Sequence, residues 1–181
     1  MNPGPSLRLL RLGDHRATLM EATGNEPSVA TAPVVVAMTS TFWRNAWRYR
    51  ERAYRHTYWD AGVSLSHILA VAASGHVATK LLFGYADPLV NALLGVDGVR
   101  ESTVALVALG DAGAGPPSPP ASERLDLPTK RLSSAEVTWH AITDMHLASS
   151  LSTSAEAAQW RSRDGVGRRN VARRSVDDEL S

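Results

Sequence analysis

Residues 33–38 read Pro33-Val34-Val35-Val36-Ala37-Met38, a β-branched run that is apolar at consecutive positions. A strand covered on one face alternates apolar with polar side chains, whereas one covered on both faces is apolar throughout. The run therefore predicts a central strand of a sheet with layers above and below it. Thr39-Ser40-Thr41 comes next as an N-cap signal for a helix opening near Phe42. On the N-terminal side, Gly24-Asn25-Glu26-Pro27 reads as a turn. Arg16 to Glu21 fits a strand or a first helical turn, and Leu7-Arg8-Leu9-Leu10-Arg11-Leu12 reads as a short strand ending at Gly13-Asp14.

Beyond residue 42 the chain is rich in aromatics and arginines. At helical spacing Trp43, Trp47 and Tyr54 share one side, with the arginines largely between them. The clearest helix spans residues 60–73: Asp60 is its N-cap, Leu65, Ile68, Leu69 and Ala72 repeat at i, i+3, i+4 and i+7, and Gly75 ends it. Ala78 to Tyr85 reads as a strand, Pro88 to Leu94 as a helix opening at Asp87-Pro88, and Thr103 to Leu109 as a buried strand. Helices alternating with apolar strands give an α+β or α/β class.

Composition sets outer bounds. The chain has 181 residues, 44% of them hydrophobic, which is enough for one real core, and its net charge of +1 gives no global pull toward nucleic acid or an anionic membrane. It has no cysteine, which excludes disulfides, thiolate metal sites and a cysteine nucleophile, and suits a reducing cytoplasm. Arg8 and Arg11 interrupt any signal-peptide core, and the longest apolar stretch, Ile68 to Ala73, is far short of a bilayer span. A soluble, cytoplasmic protein is expected.

The character changes after Gly110. Four organisational units are expected: a domain over 6–110, a Pro/Gly-rich linker over 111–130, a helical segment over 131–162, and a disordered tail over 163–181. Helix candidates in the third unit are Ser134 to Ala148 and Ser154 to Arg161, the latter with Glu156 in its first turn.

The block from Trp43 to Gly110 resembles the C-terminal half of the SagB-type dehydrogenase branch of the nitroreductase-like superfamily, the azoline-oxidase-like group. The residues that carry this resemblance are Arg44-x-x-x-Arg48-Tyr49-x-x-Arg52-Ala53-Tyr54-Arg55, Asp60-Ala61-Gly62 and the apolar helix to Ala73. They continue with Gly84-Tyr85-Ala86-Asp87, the run Val90 to Asp97, and Glu101 before the last strand. His146 to Leu151, with Glu156 and Trp160-Arg161, is similar to the segment C-terminal to such domains in tandem proteins, and Arg173-Arg174-Ser175 resembles the start of a further domain.

The resemblance implies a partial nitroreductase-like mixed sheet flanked by helices, in an oligomer with FMN at the subunit interface. It implies oxidation or reduction of a small molecule or modified peptide, with the flavin carrying the hydride chemistry. It assigns Tyr49 as a proton donor near the flavin, Arg48 as a holder of a substrate or cofactor anion, and Ser74-Gly75-His76 as the turn that brings backbone close to the flavin ring. The family's Arg-x-Ser-x-Arg-like phosphate clamp has no counterpart before Phe42. Arg48-Tyr49 stands where azoline oxidases carry Lys-Tyr, and a permanently charged arginine is a poor proton shuttle. An incomplete catalytic unit is therefore expected, active only with another chain.

Plainer readings stand beside these. The aromatic helix could simply pack its rings in the core and present its arginines to solvent, and Gly75 could be a helix cap alone. His140, Asp144 and His146 do not define a metal site, so none is expected. The arginines from Arg161 to Arg174 could meet phosphates, but more often such a run is a solvated linker. The alternative from another class is a non-catalytic dimerisation or interaction module derived from the same fold.

Overall fold

The computed structural model describes residues 6–120, 125, 127 and 131–167, with side chains through Arg163. Its elements, in chain order, are α1 (Arg16–Ala22), α2 (Pro27–Thr31), β1 (Val34–Thr41), α3 (Trp43–Tyr49), a 3-10 turn (Arg50–Arg52), α4 (Ala53–Ser74), β2 (Thr79–Leu82), α5 (Asp87–Leu94), β3 (Glu101–Leu109), α6 (His140–Ser149) and α7 (Ser154–Gly167).

The α+β class holds. The three strands form one sheet in the order β1-β3-β2, both pairings antiparallel. A single parallel bridge, Ala86 to Leu151, lies outside the named strands of the described residues. In β3, residues 102–108 are buried, because β3 has a strand on each side and a layer on each face. Successive side chains point to opposite faces. Leu106 meets Leu19 of α1 and Val90 and Leu93 of α5, whereas Ala105 and Val107 meet Leu65 of α4. In β1, Val35 and Ala37 join the first cluster and Val36 and Met38 the second. Truncating Leu106 to alanine would cost about 2–5 kcal/mol, the range for emptying a close-packed core site.

Residues 33–38 are thus a strand apolar on both faces, but β1 is an edge strand and β3 is central. An apolar pattern reports what covers a strand's faces and is silent about its edges. Residues 7–12 form no strand: Leu7, Leu9 and Leu12 are exposed, and the segment is held instead by Arg11, whose Nε donates to the Leu93 carbonyl at the end of α5 (2.8 Å). Arg16 to Glu21 belongs to a helix.

Thr39-Ser40-Thr41 extends β1 rather than capping α3. Phe42 precedes α3 without a side-chain cap, and Thr39 Oγ1 donates across the sheet to Glu101 (2.6 Å). Asp60 lies inside α4, not at its start. That helix begins at Ala53 directly after the 3-10 turn, and the Asp60 carboxylate accepts from Asn45 Nδ2 (2.9 Å). β2 stops at Leu82, short of Tyr85, and a β-carbon on Gly84 would collide with the Trp160 ring.

After Gly110, residues 111–120 carry no regular structure and are almost all exposed. α6 starts at His140, not Ser134, and α7 continues to Gly167, past the expected end at Arg161. Residues 168–181, with Arg173-Arg174-Ser175, lie outside the described residues. Both helices pack back on the preceding elements. Ile142 joins Phe42, Ala46 and Ala53 in one cluster. Arg161 donates to the carbonyls of Thr23 (2.5 Å) and Gly24 (2.6 Å) and pairs with Glu26 (3.5 Å). Arg161 is therefore docked, not part of a solvated basic run.

Candidate functional site

Arg48 and Tyr49 end α3. The helix stops because Arg50 takes φ 51° and ψ −133°, a conformation that costs a non-glycine residue about 1–3 kcal/mol. Tyr49 is 39% exposed, and its ring stacks on His56 at 4.1 Å between centroids. The Arg48 guanidinium sits 5.7 Å from that ring. Among the described residues, the Tyr49 hydroxyl has no hydrogen bond and Arg48 no ion pair, so both groups are available to a ligand. The arginines of this region face solvent, in keeping with the plainer reading, but Trp47 and Tyr49 are exposed too.

Ser74, Gly75 and His76 end α4, and all three are exposed. His76 N–H donates to the Ala73 carbonyl (3.1 Å) and Val77 N–H to that of Ala72 (2.8 Å), the paired bonds of a Schellman cap. In that motif the left-handed position comes just after the cap residue, and here it falls on His76, with φ 53°. Gly75 has φ −89°, which any residue adopts, and a β-carbon there would meet only ordinary contacts, the nearest Val77 Cγ2 at 3.6 Å. Helix capping therefore does not require glycine at 75. Ser74 Oγ donates to the Val71 carbonyl (2.8 Å).

The two predicted groups are not brought together. They flank opposite ends of α4, whose 22 residues span about 33 Å at ~1.5 Å per residue. Measured against a flavin, this geometry does not fit within one chain: no single molecule of that size spans both groups, and neither cavity beside α3 is lined by any of the five residues.

α4 itself is apolar on two sides. Ala53, Thr57, Ala61, Leu65 and Ala72 are buried. On the opposite side Trp59, Gly62, Val63, Ser66, Ala70 and Ala73 are exposed, a stripe at the spacing that packs one helix against another.

Two further features lie beyond the reach of the sequence reading. The first is a polar cluster joining α4, α5 and α6. Tyr54 Oη lies 2.8 Å from Ser149 Oγ, 3.0 Å from Tyr58 Oη and 3.4 Å from His146 Nδ1. His146 is buried, and burial holds its imidazole below the ordinary value of 6.5. Burial also raises Asp87, whose carboxylate accepts from Leu151 N–H (2.9 Å), and it pushes the Tyr58 and Tyr85 phenols up. The His146-to-Leu151 stretch carries a faint signal of this role, because polar residues there flank a short helix.

The second feature is a cavity of about 700 Å³ between the start of α3, the turn after α5 and residues 131–143. Its wall includes Trp139, whose Nε1 is buried with no hydrogen-bond partner among the described residues.

No described helix is long and apolar enough to cross a membrane, and no group of three His, Asp or Glu among the described residues could hold a metal ion. Comparison with known proteins finds a family and a solved structure that this chain resembles. The structure is that of a protein assigned as a nitroreductase from Anabaena variabilis, with 26% sequence identity and a TM-score of 0.61. The match covers 78% of this chain and 29% of that one, so this chain spans under a third of the protein it matches. No curated protein gives a significant match. The model described as the Nitroreductase family matches residues 8–111, more than half of the chain, and this protein therefore belongs to the nitroreductase family.

Proposed function

We propose that this chain is part of a flavin-dependent oxidoreductase of the SagB-type branch, holding FMN only when a second chain is present. Nitroreductases are oxidoreductases that commonly use a flavin and often assemble as oligomers. The observation that carries the proposal is the separation of Arg48 and Tyr49 from Ser74, Gly75 and His76 by the length of α4. An antiparallel helix laid along the outward stripe of α4 would bring the opposite end of a second chain beside each group.

In such an assembly Arg48 would hold an anionic group of substrate or cofactor, and Tyr49, its ring steadied by His56, would present a free phenol. The exposed turn at Gly75 would let backbone approach the ring. The phosphate clamp would come from the other chain. The flavin, when bound, supplies hydride transfer. The substrate class is a small molecule or a modified peptide, and the compartment the cytoplasm, whose reducing conditions suit a chain without cysteine.

The second reading, a non-catalytic interaction module, is favoured by the same outward stripe, since that face serves association with or without a cofactor. Gel filtration after incubation with FMN separates the two. The oxidoreductase reading expects a shifted flavin spectrum that travels with an oligomer. An oligomer that elutes without flavin, in the presence of every chain it assembles with, would leave only the interaction module.

A further inference from the structure

The cavity beside α3 begins within a helical turn of Arg48 but is lined by none of the predicted flavin residues, and its charges are unusual. Three arginines line it, Arg44, Arg100 and Arg131, together with the carboxylates of Glu101 and Glu136. None of these five groups is ion-paired with another among the described residues, since no nitrogen–oxygen contact between them falls within salt-bridge distance.

Each glutamate spends one oxygen on a neutral donor. Glu101 Oε1 accepts from Thr39 Oγ1 (2.6 Å) and Glu136 Oε1 from Leu132 N–H (2.8 Å), which leaves the second oxygen of each open to a further donor. Asp97, also in the wall, gives its Oδ1 to the backbone N–H groups of Val99, Arg100 and Glu101 at 2.8–3.1 Å, and its Oδ2 adds a third open carboxylate oxygen. The remaining wall is largely apolar and aromatic, with Phe42, Trp43 and Trp139 around it. Charges of both signs facing one apolar-walled space, and not neutralising each other, are satisfied together by a ligand that carries both.

We propose that this cavity binds a small zwitterion with an apolar or aromatic body, of the chemical class of a short peptide with free termini. The carboxylate end meets the unpaired guanidinium groups around Arg100, the ammonium end meets the open carboxylate oxygens of Glu101 and Glu136, and the side chains lie against the indoles. The volume, about 700 Å³, lies in the range of small-molecule clefts. A polyanion such as single-stranded nucleic acid would meet nearly as many carboxylates as guanidinium groups here. The inference is independent of the flavin reading, because it uses none of the same residues and its test contains no flavin.

The test is isothermal calorimetry of the full chain with three peptides of identical body: Phe-Phe with free termini, N-acetyl-Phe-Phe and Phe-Phe-amide. Saturable binding of the free dipeptide is expected, at least tenfold tighter than either blocked form. Glu101→Gln, which keeps the Thr39 hydrogen bond, should shrink the advantage over the acetylated peptide. Arg100→Gln should shrink the advantage over the amide. Equal affinity for the free and acetylated peptides in the unaltered chain would make this a plain anion site and overturn the proposal, as would equal affinity for the amide or no saturable heat at all. Displacement of the dipeptide by oligothymidylate, with steep salt dependence, would overturn it in favour of nucleic acid.

Discussion

The side-chain carbonyl of Asn91 accepts both the backbone N–H and the hydroxyl of Thr103, each at 3.0 Å. The register of β1 on β3 shifts at this point, where Met38 faces Ala105 and Thr39 faces Thr103, leaving Val104 as the extra residue of a bulge. A bulge frees ladder groups from their strand partners. Asn91, buried on α5 with its Nδ2 directed to Ser102 Oγ (3.3 Å), supplies the bond that the sheet does not. Asn91→Leu should therefore destabilise the chain by about 2–4 kcal/mol, since each buried donor left unsatisfied costs about 1–3 kcal/mol. Urea unfolding checks this; a loss below about half a kcal/mol would mean that Thr103 finds another partner.

His76→Gly should stabilise the chain by about 1 kcal/mol, the order of the penalty that a β-carbon incurs in the left-handed region. Gly75→Ala should leave stability nearly unchanged, because φ −89° and the surrounding space both accept a methyl group. If Gly75 serves close approach of a flavin, Gly75→Ala will nevertheless weaken flavin retention in the assembled protein. Thermal melts and flavin retention on the same two variants read the two effects separately.

His146 gives a pH dependence with a definite sign. Burial lowers its folded-state value below the ordinary 6.5, so the unfolded chain binds the proton more readily than the folded one. Its contribution is complete above about pH 6.5 and is lost as pH falls from there through the lowered value. Stability should drop on acidification across this window, and His146→Gln should flatten the drop. Denaturant midpoints at a series of pH values measure this, and an unchanged slope in the variant would reject the assignment. Asp87, raised by burial, works in the opposite sense, since the folded chain binds its proton more readily than the unfolded one, so the His146→Gln slope is compared with that of the unaltered chain.

α7 is held to the domain by Arg161 on the turn at Thr23 and Gly24 and by Trp160 over Gly84. Arg161→Gln should release it, exposing residues 154–163 to proteolysis and hydrogen exchange at least about tenfold faster than in the unaltered chain while the sheet stays protected. Gly84→Val should do the same, because its side chain would occupy the position of the Trp160 ring. Protection of α7 unchanged in both variants would show that other contacts hold it.

Much of this fold is written locally. The β-branched run at 34–36, the buried run at 103–109 and the Asp87-Pro88 helix start each carry their own period or capping chemistry, and each forms an element at the expected place. The remainder depends on neighbours that a local pattern does not contain. Edge or centre is decided by strand order, so the apolar run of β1 does not reveal its place at the edge. Asp60 resembles a cap in isolation, but the 3-10 turn at 50–52 starts the helix earlier. The hexapeptide at 7–12 reads as a strand in isolation but pairs with neither edge of the sheet. For the candidate site, residue types and a family resemblance are legible in the sequence, but not that α4 holds the two groups apart. The cavity charges come from three stretches far apart in the chain, around residues 44, 100 and 136, so no spacing rule joins them.

The central claim is that one copy of this chain does not enclose a flavin. Sedimentation velocity, followed at the flavin absorption band over a range of protein concentrations with FMN present, tests it most directly. The expected result is free flavin at concentrations where the chain is monomeric, and flavin sedimenting with protein only in assemblies that also hold the chain supplying the phosphate clamp. Flavin sedimenting in stoichiometric amount with the monomer would contradict the claim.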